Sequence, residues 1–384
     1  MLRKTVLFLV NHDVVIYNFR LELVERLIVD GHEVHISSPY GERIDDLVKL
    51  GCKYHEIKIA RHGVNPVADG ILLFKYIRLV KKIKPNIVLG YTIKPNIYGA
   101  LACRFCGLPF VANITGLGTA VENPGITQKI TVALYKIAFK NVQRIFFQNT
   151  ENRQFFIDRN LYIDKHALLP GSGVNLQRFT SLPYPSENDG IHFVFISRIM
   201  HEKGIDQYLD AAKHFKVAEP TEVSDSRHSE QSEESCAVPK VTFHVCGFCE
   251  QEYESRLEEL TKNGTIVYHG MVRDVCEILA KTHCTIHPSF YPEGISNVLL
   301  ESSACARPII TTDRSGCREV IDDGVNGFIV KQRDSADLIA KIKKFIALPH
   351  EQKMQMGLAG RAKVEKEFDR QIVVDAYLKE MEHC

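Results

Sequence analysis

The chain has almost no net charge. Its 48 Lys and Arg nearly cancel its 47 Asp and Glu, leaving +1 at pH 7, so the overall balance gives no sign of a nucleic acid partner. It lacks any run of the roughly 18 apolar residues that a membrane-spanning helix needs. The start, Met1-Leu-Arg-Lys-Thr-Val-Leu-Phe-Leu-Val-Asn11, is apolar behind a short basic flank. No small-residue cleavage site follows, and the stretch reads as a first strand, not a signal peptide. No Gly-x-Gly-x-x-Gly follows that strand, which argues against a dinucleotide. The 11 cysteines are odd in number and fall in no framework, as fits a reducing cytoplasm.

What is present describes a globular protein: 384 residues, 45% hydrophobic and 25% charged, enough for two domains. The charge is unevenly shared. Residues 1–180 hold 24 Lys and Arg against 14 Asp and Glu, a net of about +10, and the remainder carries about −9. Only the N-terminal half is therefore suited to an anionic surface.

Apolar strand-like segments alternate with amphipathic ones through both halves, which predicts α/β architecture with parallel sheets and functional loops at the strands' C-terminal ends. In the first half, strands are expected at 5–10, 33–38, 54–59, 86–91, 110–114 and 144–148. Helices are expected at 17–30, 42–50, 67–84, 126–142 and 150–160, with Thr92–Asn96 as a strand-end loop. The helix over 67–84 mixes Leu72, Leu73, Phe74, Tyr76 and Ile77 with Lys75, Arg78, Lys81, Lys82 and Lys84. It is either a core helix with a wet basic face or a helix resting on anionic headgroups. The Pro- and Ser-rich stretch 181–190 reads as a linker. Residues 217–239, polar and repetitive around Ser226–Ser235, read as a disordered insertion. Cys246-Gly-Phe-Cys249 has redox or zinc spacing but no second pair to complete a site.

The richest stretch is 288–301, Pro-Ser-Phe-Tyr-Pro-Glu-Gly-Ile-Ser-Asn-Val-Leu-Leu-Glu. An apolar strand, Cys284–His287, runs into it. Pro288 and Pro292 bar regular structure, Gly294 gives a turn, and Ser296 or Asn297 can cap a following helix. A helix N-terminus so placed suits a phosphate. Glu293 precedes the turn, and Glu301 is expected roughly two turns into the helix. One carboxylate can accept bonds from sugar hydroxyls while the other holds a ribose diol. The same spacing also arises in helices that bind nothing.

Glu293-x7-Glu301 with Gly294 resembles the signature of retaining, nucleotide-sugar-dependent glycosyltransferases of family 4, which have the GT-B fold. Arg198-Ile-Met-His-Glu-Lys203-Gly204 resembles that family's Arg…Glu-Lys-Gly segment. Gly316-Cys-Arg-Glu319…Gly324-Val-Asn-Gly327 resembles its Gly…Glu-x-Ile…Gly-x-x-Gly segment. In the first half, Ile16-Tyr17-Asn18-Phe19-Arg20 and Gly116-Leu117-Gly118 are similar to the subgroup that extends polyprenyl-diphosphate-linked glycans.

The resemblance implies two Rossmann-like domains facing across a cleft: 1–180 for the acceptor, 187–366 for the nucleotide-sugar, and a C-terminal helix, 367–384, returning to the first domain. It implies Arg198, Lys203 and Glu293 as the catalytic set, the two cations holding the donor diphosphate. Glu301, Gly294, Ile295, Ser296, Val272, Arg273 and Gly247 would bind donor, with Val272 and Arg273 beside the base. Asn18, Lys94 and Gly116 would line the acceptor's approach. No cofactor or metal is expected, and no Asp-x-Asp motif is present. The chain departs from the family at 113–115, where many relatives have a His and this sequence has Asn113, Ile114 and Thr115.

The implied activity is retaining transfer of a hexose or N-acetylhexosamine from a UDP-sugar to a lipid-linked glycan, on the inner face of the cytoplasmic membrane. A nucleotide-sugar epimerase and a catalytically silent nucleotide-sugar binding protein are the alternatives.

Overall fold

A computed structural model describes residues 2–59, 65–118, 121, 125–217 and 240–382. Apart from Val217, which ends a helix, the insertion expected near 217–239 lies outside the described residues. The chain forms two compact units. One comprises Met1–Gly173, Pro292–Ser296 and Phe368–Cys384; the other comprises Val174–Tyr291 and Asn297–Glu367.

The first unit is built on β1 (Thr5–Leu9), β2 (Glu33–Ser38), β3 (Lys53–Glu56), β4 (Ile87–Tyr91), β5 (Phe110–Ile114), β6 (Arg144–Phe147) and β7 (His166–Leu168). They form one sheet in the order β3-β2-β1-β4-β5-β6-β7, with parallel pairing throughout, as in Val6↔Ile87 and Leu7↔Val88. Sequences such as TVLFL and IVLGY are continuously apolar because helices cover both faces. One face packs Leu7, Leu9, Tyr76, Val88 and Phe110; the other packs Val6, Phe8, Ile87 and Leu89 with Val373, Val374 and Tyr377.

Those last three residues lie on the C-terminal helix, Arg370–Glu382, which belongs to the N-terminal unit. Ion pairs fix both of its ends: Arg370 to Glu22 at 2.8 Å and Glu380 to Arg144 at 2.7 Å.

The second unit is built on β8 (Ile191–Ile196), β9 (Val241–Cys246), β10 (Val267–Tyr268), β11 (Cys284–His287), β12 (Ile309–Thr312) and β13 (Gly327–Val330). Its sheet order is β10-β9-β8-β11-β12-β13, again parallel. Both sheets are thus of the doubly wound, Rossmann-like kind that the strand–helix alternation predicts. Each reverses its strand order once, between β1 and β4 in the first and between β8 and β11 in the second. In such sheets ligands bind outside the strands' C-terminal ends at this switch point.

Four local expectations are corrected. The helix expected over 17–30 is two, Val14–Phe19 and Leu21–Val29, broken at Arg20. Arg20 leaves helical angles and buries its guanidinium against the rings of Tyr91 and Tyr377, 5.3 and 5.6 Å from their centroids. Cation–π attraction of this kind leaves no trace in apolar spacing. Second, Thr92–Asn96 is not a loop, because a helix, Ile93–Cys106, begins at once and takes Pro95 into its first turn. A proline there blocks no intrahelical bond. Third, Tyr76 is fully buried in the core, so Phe74 alone is the exposed aromatic of helix Pro66–Ile83. Fourth, Glu301 is the fifth residue of helix Asn297–Ala304, little more than one turn in.

Candidate functional site

In the C-terminal unit the switch point is formed by the segments after β8 and β11. Arg198 lies two residues beyond β8 and is exposed. Lys203 closes a short 3-10 turn, His201–Lys203, and is buried. Gly204 follows with φ +77°, and a Cβ there would lie 2.1 Å from the carbonyl oxygen of Pro288. Only glycine lets these two backbones meet so closely. The contact is reinforced by the Phe290 N–H donating to the Glu202 carbonyl at 2.9 Å. The turn carrying Lys203 is thereby fixed against Pro288–Tyr291. The Tyr291 ring centroid lies 4.8 Å from the Lys203 ammonium and 5.7 Å from the Arg198 guanidinium carbon.

Loss of water around Lys203 pulls its ammonium down to about 8, and the Arg198 charge adds to this. Beneath it, His287 is pushed to about 3, by burial first and then by the Lys203 charge, so it is a neutral ring. A cation held weakly in a dry site gains more from an arriving diphosphate than a hydrated surface lysine does. Glu301 follows β11 on helix Asn297–Ala304, half-buried.

The loop after β12 is held by Glu319. Its carboxylate accepts from the Ser315 hydroxyl at 2.9 Å and the Gly316 N–H at 2.6 Å. Gly247, just past β9, has φ +141°, and a Cβ would lie 1.7 Å from the Ser197 carbonyl oxygen, so the turn packs directly on the residue before Arg198. The flanking thiols are free. Burial drives Cys246 up to about 12 and raises Cys249 as well, so neither is poised as a thiolate. Val272 and Arg273 lie in the loop before helix Val275–Leu279, Val272 half-buried and Arg273 exposed.

The segment Pro292–Ser296, with Glu293, Gly294, Ile295 and Ser296, packs within the N-terminal unit. Asn149 donates its amide to the carbonyls of Glu293 and Gly294 at 3.0 and 2.7 Å, and its own oxygen caps helix Thr150–Ile157. A Cβ on Gly294 would lie 1.9 Å from the Gln148 amide oxygen and 2.8 Å from the Thr115 carbonyl. Gly116 approaches the Pro292 carbonyl, and Gly171 leaves room for Ile295. The loops after β5, β6 and β7 thus hold this segment.

At the N-terminal switch point, Asn11, Ile59, Thr92, Ile93, Lys94 and Pro95 line a pocket of about 130 Å³. Lys94 is ion-paired to Asp69 at 2.9 Å with little exposure. Asn18 and Gly116 do not line this pocket. Asn18 is exposed on helix Val14–Phe19, its carbonyl accepting from Arg370. Asn113, in the stretch 113–115 near which many relatives are expected to carry His, is buried. It accepts from the Tyr377 hydroxyl and donates to the Gly90 carbonyl at 2.9 Å. Those bonds give it a structural task.

Sequence reasoning missed Gln148, Asn149 and Tyr291. Gln148 and Asn149 carried a signal: two amides at a strand's C-terminal end, the second at a helix cap position.

Comparison with known proteins agrees with the two-sheet fold. Residues 181–363 match the glycosyl transferases group 1 family, and residues 5–149 match the glycosyl transferase 4-like family. The chain is 24% identical to the N,N'-diacetylbacillosaminyl-diphospho-undecaprenol alpha-1,3-N-acetylgalactosaminyltransferase of Campylobacter jejuni, over 97% of this chain and 96% of that protein. Among solved structures, a glycosyltransferase from Rickettsia africae superposes with a TM-score of 0.80 at 19% identity, covering 100% of this chain and 99% of that one. HepE from Anabaena, in complex with UDP and glucose, superposes at 0.77 and 15% identity over 100% of both chains.

Proposed function

We propose that this chain, which belongs to the glycosyltransferases with a 4-like N-terminal domain and a group 1 C-terminal domain, transfers a hexose or N-acetylhexosamine from a UDP-sugar to a polyprenyl-diphosphate-linked glycan, with retention of anomeric configuration. The observation that carries this is the pairing of Arg198 and Lys203 at the switch point of the C-terminal sheet, with Glu301 on the helix that follows β11. A buried Lys203 and an exposed Arg198 stabilise the charge that develops on a departing nucleoside diphosphate, and they do so most when the sugar–phosphate bond is breaking. Glu301 accepts hydrogen bonds from the ribose diol, and Glu293 from hydroxyls of the transferred sugar. The reaction needs no metal, because the side-chain cations take the place a divalent ion holds elsewhere.

The donor assignment is supported by HepE, whose complex contains UDP and glucose. The acceptor assignment is supported by the Campylobacter transferase, whose name gives a diphospho-undecaprenol substrate. The N-terminal unit, Met1–Gly173 with Pro292–Ser296 and the C-terminal helix, would receive the acceptor through the pocket at Asn11, Thr92 and Lys94. Residues 187–366 would hold the donor.

A polyprenyl chain stays in its bilayer, so the enzyme must come to it. No helix among the described residues is long and apolar enough to cross a membrane. Helix Pro66–Ile83 instead exposes Ile71 and Phe74 beside Lys75, Arg78, Lys81 and Lys82. Phe105, against Lys81, extends the apolar part of that face. Apolar side chains among basic ones suit an anionic leaflet, which makes the protein peripheral on the cytoplasmic face of the membrane.

The deciding experiment is a panel of nucleotide-sugars incubated with membrane lipid extract, with products weighed by mass spectrometry. A lipid-linked glycan heavier by one sugar residue is expected. An isomerised nucleotide-sugar with no acceptor product would place the chain among epimerases, and the absence of either product would refute transfer.

A further inference from the structure

Helix Ile126–Ala138 packs on the core of the N-terminal unit through Thr131, Tyr135 and Ala138. At about 100° per residue, Ile126, Ile130 and Ile137 fall within about 40° of one another and well away from that buried face. They are 78%, 41% and 56% exposed. None of them is part of the core. Isolated exposed isoleucines are ordinary, but three in line form an apolar stripe that water solvates poorly.

A second stripe lies on the same side of the N-terminal sheet. Val67, Ile71 and Phe74 recur at helical spacing on Pro66–Ile83, and all three are exposed. Helix Ile93–Cys106 packs against both stripe-bearing helices, and its last turn ties them together. Arg104 donates to the Ile137 carbonyl at 3.1 Å, while the neighbouring Phe105 ring lies 5.1 Å from the Lys81 ammonium.

Charge selects the partner. Lys129 and Lys136 are exposed on Ile126–Ala138, which has no Asp or Glu. The three helices together hold one acid, Asp69, and it is ion-paired with Lys94. A second copy of this chain would bring the same basic face and be repelled. An anionic bilayer supplies an apolar phase and the opposite charge together. We propose that Ile126–Ala138 is a second membrane-seated helix, entering the headgroup–acyl boundary of an anionic leaflet through Ile126, Ile130 and Ile137. This rests on the peripheral membrane reading of Pro66–Ile83 and extends it. One helix on a bilayer leaves the protein free to roll about that helix, whereas two fix its orientation.

The chain has no Trp, so one introduced Trp is an unambiguous reporter. The test uses the full chain as Ile130→Trp, Phe74→Trp and Val48→Trp. Val48 is an exposed control on helix Ile44–Lys49, which packs on the other face of the sheet. Each variant is mixed with vesicles of phosphatidylglycerol and acyl-brominated phosphatidylcholine. Ile130→Trp and Phe74→Trp should shift their emission to the blue and be quenched by the bromine; Val48→Trp should not change. Quenching at Phe74→Trp alone overturns the second helix and leaves the first one standing. Quenching at neither removes the membrane reading itself. A blue shift of Ile130→Trp that grows with protein concentration in the absence of vesicles overturns the proposal in favour of a second copy. As a further readout, Ile130→Ser combined with Ile137→Ser should weaken vesicle binding about 10- to 100-fold, with the melting temperature unchanged because both side chains are exposed. Wild-type vesicle affinity in that variant also overturns the proposal.

Discussion

Replacing Gly204 with alanine isolates what the switch-point geometry contributes. Two effects combine. Gly204 has φ +77°, where an L-residue with a Cβ is about 1–2 kcal/mol less stable than glycine. The added Cβ would also lie 2.1 Å from the Pro288 carbonyl oxygen and 2.6 Å from its carbon. Both neighbours are backbone and cannot swing aside, so the two segments must part by about 1 Å, a displacement that can lower the rate about 100-fold when it reaches a reacting geometry. It reaches the site because Lys203 is on one side of the contact and Tyr291 is three residues beyond the other. At about 2–4 °C per kcal/mol for a unit of this size, the melting temperature should fall by a few degrees. The control is Gly264→Ala, where φ is +74° but the nearest atom to a Cβ is the Lys216 ammonium at 3.9 Å. It carries the same conformational strain without the displacement. The assay is kcat/KM for the donor alongside thermal unfolding by circular dichroism. Gly264→Ala should lower only the melting temperature, whereas Gly204→Ala should lower both. Equal kcat/KM in the two variants would refute the claim that this backbone contact sets the position of Lys203.

Lys203→Ala and Arg198→Ala should each reduce kcat by roughly 100- to 1,000-fold with the fold intact by circular dichroism, since each removes charge stabilisation of the leaving group; near-normal turnover in both would dismiss the diphosphate assignment. In flotation assays, wild type should rise with anionic liposomes at low salt and less so at high salt. The variant with Lys75, Arg78, Lys81 and Lys82 changed to Gln should stay in the soluble fraction, each basic residue being worth about 1 kcal/mol at such a surface. In acid, the C-terminal unit should lose stability. Burial, and for His244 also the flanking His192 and His269, holds His244 and His283 at about 4 against an ordinary 6.5. The folded state therefore keeps both rings neutral while the unfolded chain protonates them. Stability is complete above pH 6.5 and is lost between there and about 4. His244→Asn should flatten the fall in melting temperature over that range, and an unchanged slope would count against the histidine row.

Much of the architecture is legible in the sequence because buried parallel strands need unbroken apolar runs. TVLFL, IVLGY and IHFVFI stand out for that reason, and the loops after them fall where the topology puts function. The local failures have a common cause in groups whose partners are distant in sequence. Arg20 breaks a helix to reach Tyr377, 357 residues away. Lys94 reads as a bare basic loop residue until Asp69, 25 positions earlier, is seen to neutralise it. Glu293 and Glu301 are legible as a motif, but nothing in their spacing says that Asn149 and Gln148 would hold the intervening turn. Tyr291 was equally hidden, since a tyrosine between two prolines carries no sign of the cations that flank it in space.

The two sheets use one topology for different electrostatic ends. In each, the first and fourth strands lie side by side, and the segments leaving them share a pocket or a cluster. After β1 and β4, the cation is already paired. Lys94 is bound to Asp69, and the pocket it lines offers hydrogen-bonding groups with little net charge. After β8 and β11, two cations are instead packed against an aromatic ring, with the lysine held in a site that disfavours its charge. A pocket of the first kind gains little from an anion and discriminates by hydrogen-bond geometry, as recognition of sugar hydroxyls requires. A cluster of the second kind gains most from an anion whose charge is increasing. The division of labour proposed for the two domains follows from this contrast: the leaving group is stabilised where burial disfavours the lysine's charge, and the acceptor is oriented where the lysine is held by Asp69.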